Sequence, residues 1–145
     1  MTYEEMAGLL RYPEDPAMQE LYIQTFEFNP ACTLEMGWHL FGENYERGEF
    51  LVRMRQELRR YGIRESSELP DHLTHLLPLI ARMEHEDAAR LAGEFLLPAL
   101  GKMQLAEDNS YKPVIEGIKQ KLTADFPDAP HRPSELPIFQ EAARE

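Results

Sequence analysis

An all-α fold is what this sequence predicts, on three observations. Helix-start signals recur along it, apolar residues follow them at three- and four-residue spacing, and no stretch alternates β-branched and polar residues as a strand would. With 145 residues, 43% of them hydrophobic and 28% charged, the chain can build one core, since a domain of about 150 residues buries roughly 68% of the surface its unfolded chain exposes. The expected architecture is a single-domain helical bundle.

Thr2 and Glu5 form a capping-box pattern ahead of Met6, Leu9 and Leu10, so a short first helix ends near Pro13. Asp15 before Pro16 is a second start, a carboxylate cap followed by a first-turn proline, with Met18, Leu21, Tyr22 and Phe26 at helical spacing and a stop before Pro30. A third helix is expected from Thr33 to Phe41, closed by a turn at Gly42–Asn44. Phe50, Leu51, Met54, Leu58 and Tyr61 lie on one stripe of a helix from Arg47 to Tyr61, and Gly62 stands where a left-handed cap belongs. Pro70 is read as a first-turn proline leading into Leu73, Leu76, Leu77, Ile80 and Met83, with a kink at Pro78. The pattern repeats from Glu86 to about Met103, with a bend or break at Pro98, and a last helix runs from Tyr111 or Lys112 to Phe126 with Val114, Ile115, Ile118 and Leu122 inward. Residues 1–126 are thus the helical domain. Residues 127–145 hold four of the eleven prolines and few large apolar side chains, and are expected to be an extended or mobile tail.

Charge is divided unevenly. Residues 1–46 hold nine acids and one base, residues 47–64 two acids and six bases, and the remainder fifteen acids and eight bases. A net charge of -11 argues against nucleic acid as a partner, because phosphate binding draws on many Lys and Arg contacts. A basic partner is easier to accommodate. One cysteine, Cys32, rules out an internal disulfide framework, and Met1–Leu10 carries Glu4 and Glu5 with no base before Arg11, unlike a secretory signal. No segment approaches the roughly 20 apolar residues of a membrane span. The expected location is the cytoplasm, without direct membrane insertion.

Catalytic patterns are sparse. His72 and His75 stand three apart on a predicted helix, but no HExxH pattern accompanies them and the histidine of Glu84-His85-Glu86 has no regular partner, so no metal ligand is assigned. There is no GxSxG elbow and no phosphate-cradling glycine loop, and Cys32 reads as an inert buried thiol near the Asn29-Pro30 turn. No catalytic residue and no tightly held cofactor is predicted.

The distinctive segment is Glu68-Leu69-Pro70-Asp71-His72-Leu73. It resembles the ELPDHL signature of the nitrate reductase assembly chaperones, the NarJ branch of the family that also includes the TorD and DmsD chaperones. Leu40–Gly48 resembles that branch's phenylalanine-containing stretch ending in an acid, an arginine and a glycine. Leu21–Glu27 is similar to its tyrosine-to-phenylalanine helix, and Leu9–Pro13 to its opening. The match covers nearly half the chain, from Tyr22 to Met83. It departs from the pattern where family members have several more helical turns between the opening Tyr-Pro and the tyrosine helix, so part of the N-terminal helical region is expected to be lacking. A missing helix would leave apolar surface for a second copy to cover, making a homodimer one expected state.

The resemblance implies a bundle of the redox-enzyme maturation chaperone type, not an enzyme. It would bind the N-terminal peptide of an immature molybdenum-containing reductase catalytic subunit, most simply a respiratory nitrate reductase or a relative, and assist molybdenum cofactor insertion and complex assembly. The implied client-binding residues are Glu68, Leu69, Pro70, Asp71, His72 and Leu73, with Phe41, Glu43 and Arg47. Physically, Pro70 would preorganise a first helical turn and Asp71 would place negative charge at its positive end. Two alternatives stay open: a small helical metal-dependent enzyme using His72, His75 or His85, and a permanent adaptor subunit of a respiratory complex.

Overall fold

Residues 1–129, which a computed structural model describes, form eight α-helices and no strand. Helix α1 (Tyr3–Leu9) starts at the predicted capping box: the Glu5 N–H donates to Thr2 Oγ1 at 3.0 Å and the Thr2 N–H to Glu5 Oε1 at 2.7 Å. Helix α2 (Pro16–Tyr22) is capped by Asp15, which accepts the Ala17 N–H at 3.2 Å, and it widens without interruption into a π-helical stretch, Ile23–Glu27. A single 3-10 turn over Pro30–Cys32 follows.

Helix α3 (Met36–Phe41) is shorter than the predicted Thr33–Phe41. Residues 34–36 are instead drawn out and paired with residues 71–73: the Met36 N–H donates to the Asp71 carbonyl at 3.0 Å and the Leu73 N–H to the Leu34 carbonyl at 2.8 Å, an isolated antiparallel bridge between Glu35 and His72. Helix α4 (Tyr45–Arg60) has the predicted stripe, with Phe50, Met54 and Leu58 fully buried. The turns around it use glycine where φ is positive, Gly42 at 58° before it and Gly62 at 70° after it.

Helix α5 (Leu73–Arg82) corrects the predicted start. Pro70 and Asp71 lie in the turn before it, and the N-cap is His72. Pro78 sits inside α5, which continues past it. Helix α6 (His85–Arg90), a π-helical stretch (Leu91–Leu96) and α7 (Leu97–Lys102) form one uninterrupted helical course where a bend or break was expected at Pro98. A proline ring collides with the carbonyl four residues back in an ordinary α-turn, and the wider turn stands just where that carbonyl lies. Helix α8 (Lys112–Asp125) agrees with prediction, with Ile115, Ile118 and Leu122 buried and Val114 only partly so.

One core joins these elements. Leu73, Leu76, Leu77 and Leu79 of α5 meet Phe50, Met54 and Leu58, with Phe95 stacked on Phe50 at a centroid distance of 5.1 Å. Each such side chain contributes about 1.5–3 kcal/mol relative to exposure. Beside the future site, Tyr22, Phe26 and Tyr111 pack edge to face, Phe26 and Tyr111 at 4.9 Å, and Tyr12 closes on Tyr22 at 5.5 Å. The chain passes from the end of α1 through Pro13 directly to Pro16, as expected from its departure from the family pattern, which has several more helical turns here. There a groove of about 430 Å³ opens between Leu9, Tyr12, Met18 and Val114. Phe126 and Ala129 are still buried at the edge of the predicted tail, while residues 130–145, with the rest of that prediction, lie outside the described residues.

Candidate functional site

The turn over residues 68–73 is held from three directions. Asp71 has no exposed surface, and its Oδ2 accepts the Gly37 N–H at 2.9 Å in the first turn of α3. The same oxygen faces Arg47 of α4, at 3.3 Å from Nη2 and 3.4 Å from Nε, while Arg47 Nη2 also reaches Glu35 Oε1 at 2.9 Å. Asp71 therefore caps a helix, but through an amide 34 residues earlier in sequence rather than in the helix that follows it. A Cβ at Gly37 would stand 2.6 Å from Asp71 Oδ2 and 2.9 Å from the Phe50 ring, so the glycine is what lets the carboxylate close on the backbone. Burial holds the Asp71 carboxyl up at about 6, against the opposing pull of Arg47.

The two histidines of α5 are committed to the backbone. His72 Nδ1 takes the Thr74 N–H at 3.3 Å and its hydroxyl at 2.7 Å, so the ring proton sits on Nε2, 3.7 Å from Glu68 Oε2. Burial, and then the neighbouring His75, hold the imidazole down at about 4, so the pair with Glu68 is not ionic at neutral pH. His75 accepts the Ser66 N–H on Nε2 and donates from Nδ1 to the Leu69 carbonyl, both at 2.9 Å. These bonds pin the segment from both ends.

What the clamp shapes is a cleft of about 420 Å³. Tyr22, Phe26 and Leu34 form its apolar floor, Trp38 and Pro30 flank it, and Glu27, Glu35 and Glu68 bring three carboxylates against one guanidinium, Arg47. Burial raises the Glu68 carboxyl, and the charges of Glu27 and Glu35 raise it further. Mutual repulsion among the three is relieved by a cation placed between them. Aromatic walls with converging acids suit an apolar segment that carries positive charge.

Of the residues singled out from sequence, Glu68, His72 and Arg47 line this cleft. Asp71 lies behind it, buried Pro70 shapes the turn, Leu69 is 40% exposed beside it, and Leu73 belongs to the core. Phe41 packs against Phe50 at 5.7 Å, and Glu43 is exposed in the turn after α3, so neither is brought to the cleft. Glu27, Glu35 and Trp38 were missed. The lone tryptophan beside a glycine was the signal that could have found that wall.

No three His, Cys, Asp or Glu side chains converge on a possible metal position among the described residues. His85 lies against Phe126 at 5.2 Å, away from the other two histidines. Cys32 is 2% exposed and its Sγ–H donates to the Gln104 carbonyl at 3.2 Å.

Comparison with known proteins fits this geometry. The profile of the nitrate reductase delta subunit family matches residues 2–112, from the α1 cap through the first residue of α8. Searches of curated proteins and of solved structures gave no significant match. The chain belongs to the nitrate reductase delta subunit family, and the NarJ-type resemblance read from the ELPDHL segment is borne out.

Proposed function

We propose that this protein is a cytoplasmic assembly chaperone that binds the N-terminal segment of an immature molybdenum-containing reductase catalytic subunit, within the unit formed by residues 1–126. The observation that carries the reading is the cleft of Tyr22, Phe26 and Trp38 with Glu27, Glu35 and Glu68, to which the distinctive 68–73 segment contributes Glu68 and His72. An apolar anchor of the client enters over the aromatic floor and a basic residue meets the carboxylates. The client segment is thereby withheld from other contacts while the catalytic subunit receives its cofactor. The work is binding, not catalysis. No helix among the described residues is long and apolar enough to cross a membrane.

Trp38, the only tryptophan, makes the cleft its own reporter. Titration with a client N-terminal peptide should change its emission, and Glu68→Gln should slow association several-fold while leaving dissociation nearly unchanged. At about 0.15 M salt the Debye length is roughly 8 Å, and the half-exposed Glu68 carboxylate at the cleft acts mainly on encounter. Saturating peptide that leaves Trp38 emission unmoved would remove the cleft from client binding. Presence of the protein in the mature enzyme would favour a permanent adaptor instead.

A further inference from the structure

Helix α4 turns its core stripe inward and leaves a second stripe outward. Tyr45, Gly48, Val52, Arg55 and Arg59 follow one another at alternating spacings of three and four, the register of a helix-packing seam. All five are exposed, Tyr45 at 79% and Val52 at 59%, and a Cβ at Gly48 would meet nothing within 4 Å. Charge runs along this seam as a gradient. Exposed Glu49 flanks its N-terminal half, about 60° around from Val52, and exposed Arg55 and Arg59 lie along its C-terminal half, where Arg55 already meets Glu65 at 3.1 Å with half its side chain still free to solvent.

We propose that this face pairs with the same face of a second copy, the two α4 helices lying antiparallel about a two-fold axis at Val52. The gradient selects the orientation. Parallel pairing sets acids on acids and arginines on arginines, whereas antiparallel pairing lays each acidic end along the partner's basic end. Centred on Val52, that arrangement brings Val52 against its own copy and Tyr45 level with the partner's Arg59, where a guanidinium can stack on the exposed ring. Gly48 lets the backbones approach.

The seam spans fourteen residues of rise, about 21 Å, and a single helix face of that length covers on the order of 500 Å² per partner. About 1,000 Å² in all is small for a specific interface, so the dimer is weak and forms with rising concentration. Arg47, which lines the cleft, lies roughly 140° around α4 from Val52, so pairing leaves both clefts open. The dimer therefore does not rest on the client-binding reading.

Sedimentation velocity over a concentration series tests it on the full chain. Glu49→Arg and Arg55→Glu, which face each other across the axis, should each weaken self-association by roughly tenfold or more. Mixed one to one, they should form a heterodimer, since the two altered positions then face each other at one end and the unaltered Glu49 and Arg55 face each other at the other. Val52→Cys in a Cys32→Ser background should cross-link across the axis on oxidation. Both charge variants should keep the Trp38 response to client peptide, separating a failed dimer from a failed cleft. Monomeric behaviour of the unaltered chain at all concentrations overturns the proposal. So does a dimer indifferent to these changes but broken by Tyr12→Glu, which would move the contact to the groove beside α1.

Discussion

Two helix starts in this protein solve the same problem by opposite means. At α1 the orphan amides are satisfied by Thr2 and Glu5, three residues apart and exposed to water. At α3 the Gly37 amide is satisfied by Asp71, fully buried and ionically tied to a third helix through Arg47. The first device holds one turn of one helix. The second fixes where α3, α4 and the start of α5 stand relative to one another, and with them the walls of the cleft. A cap made by neighbours in sequence stabilises locally, whereas a cap made across the chain positions a site.

The sharpest way to break this contrast is Gly37→Ala. The added methyl meets the carboxylate and the Phe50 ring well inside contact distance, and no flexible end is available to yield. Overpacking together with the lost cap should cost about 3–4 kcal/mol in urea denaturation and disturb peptide binding as well. A fully stable Gly37→Ala protein would show that the clamp is slack.

The next effect separates the clamp's two titrating members by sign. Asp71 is held up at about 6, so folded protein binds its proton more tightly than unfolded protein does, and its contribution makes stability fall as pH rises from about 4 to 6. His72 is held down at about 4, so its contribution is present above the ordinary histidine range and is lost as pH falls toward 4. Each shift of about two pH units corresponds to about 3 kcal/mol, and in the unaltered protein the two largely offset. His72→Asn keeps a capping oxygen and should become more stable on going from pH 6.5 to 4.5, whereas Asp71→Asn should become less so. Denaturation curves for the two variants at both pH values check this, and parallel slopes would refute it.

Thr2→Ala should produce the smallest effect, about 1 kcal/mol of stability with no change in client affinity. Reduced affinity on its loss would mean that α1 and the cleft are coupled, and the contrast between local and site-building caps would fail.

That contrast also explains what could be read in the sequence. The α1 box, the Asp15-Pro16 start, the α4 stripe and its Gly62 cap all depend on residues within a turn or two of one another, and each was legible. The ELPDHL segment was legible as distinctive, and its resemblance pointed to the right family. Its physical role was not. Asp71 reads as a cap for the helix that follows because its true partner, the Gly37 amide, is 34 residues away and leaves no periodic trace. The π-helical turns at 23–27 and 91–96 were hidden for a related reason: one extra residue in a turn shifts the apolar stripe only slightly. Glu27, Glu35 and Trp38 converge through tertiary packing alone, and Phe41 and Glu43, which stand close to Arg47 in sequence, do not.

The buried thiol supplies a clock. Cys32 is the only cysteine, and it is shut between the Asn29 amide and the Gln104 carbonyl, next to Thr33 and Leu34 on the cleft wall. Cys32 borders a small recess with Gln104, Leu105 and Ala106, and at 2% exposure a thiol reagent reaches it fully only when the structure there opens, so the labelling rate reports such openings. Occupancy of the cleft, if it steadies the wall, becomes measurable as seconds added to a chemical reaction.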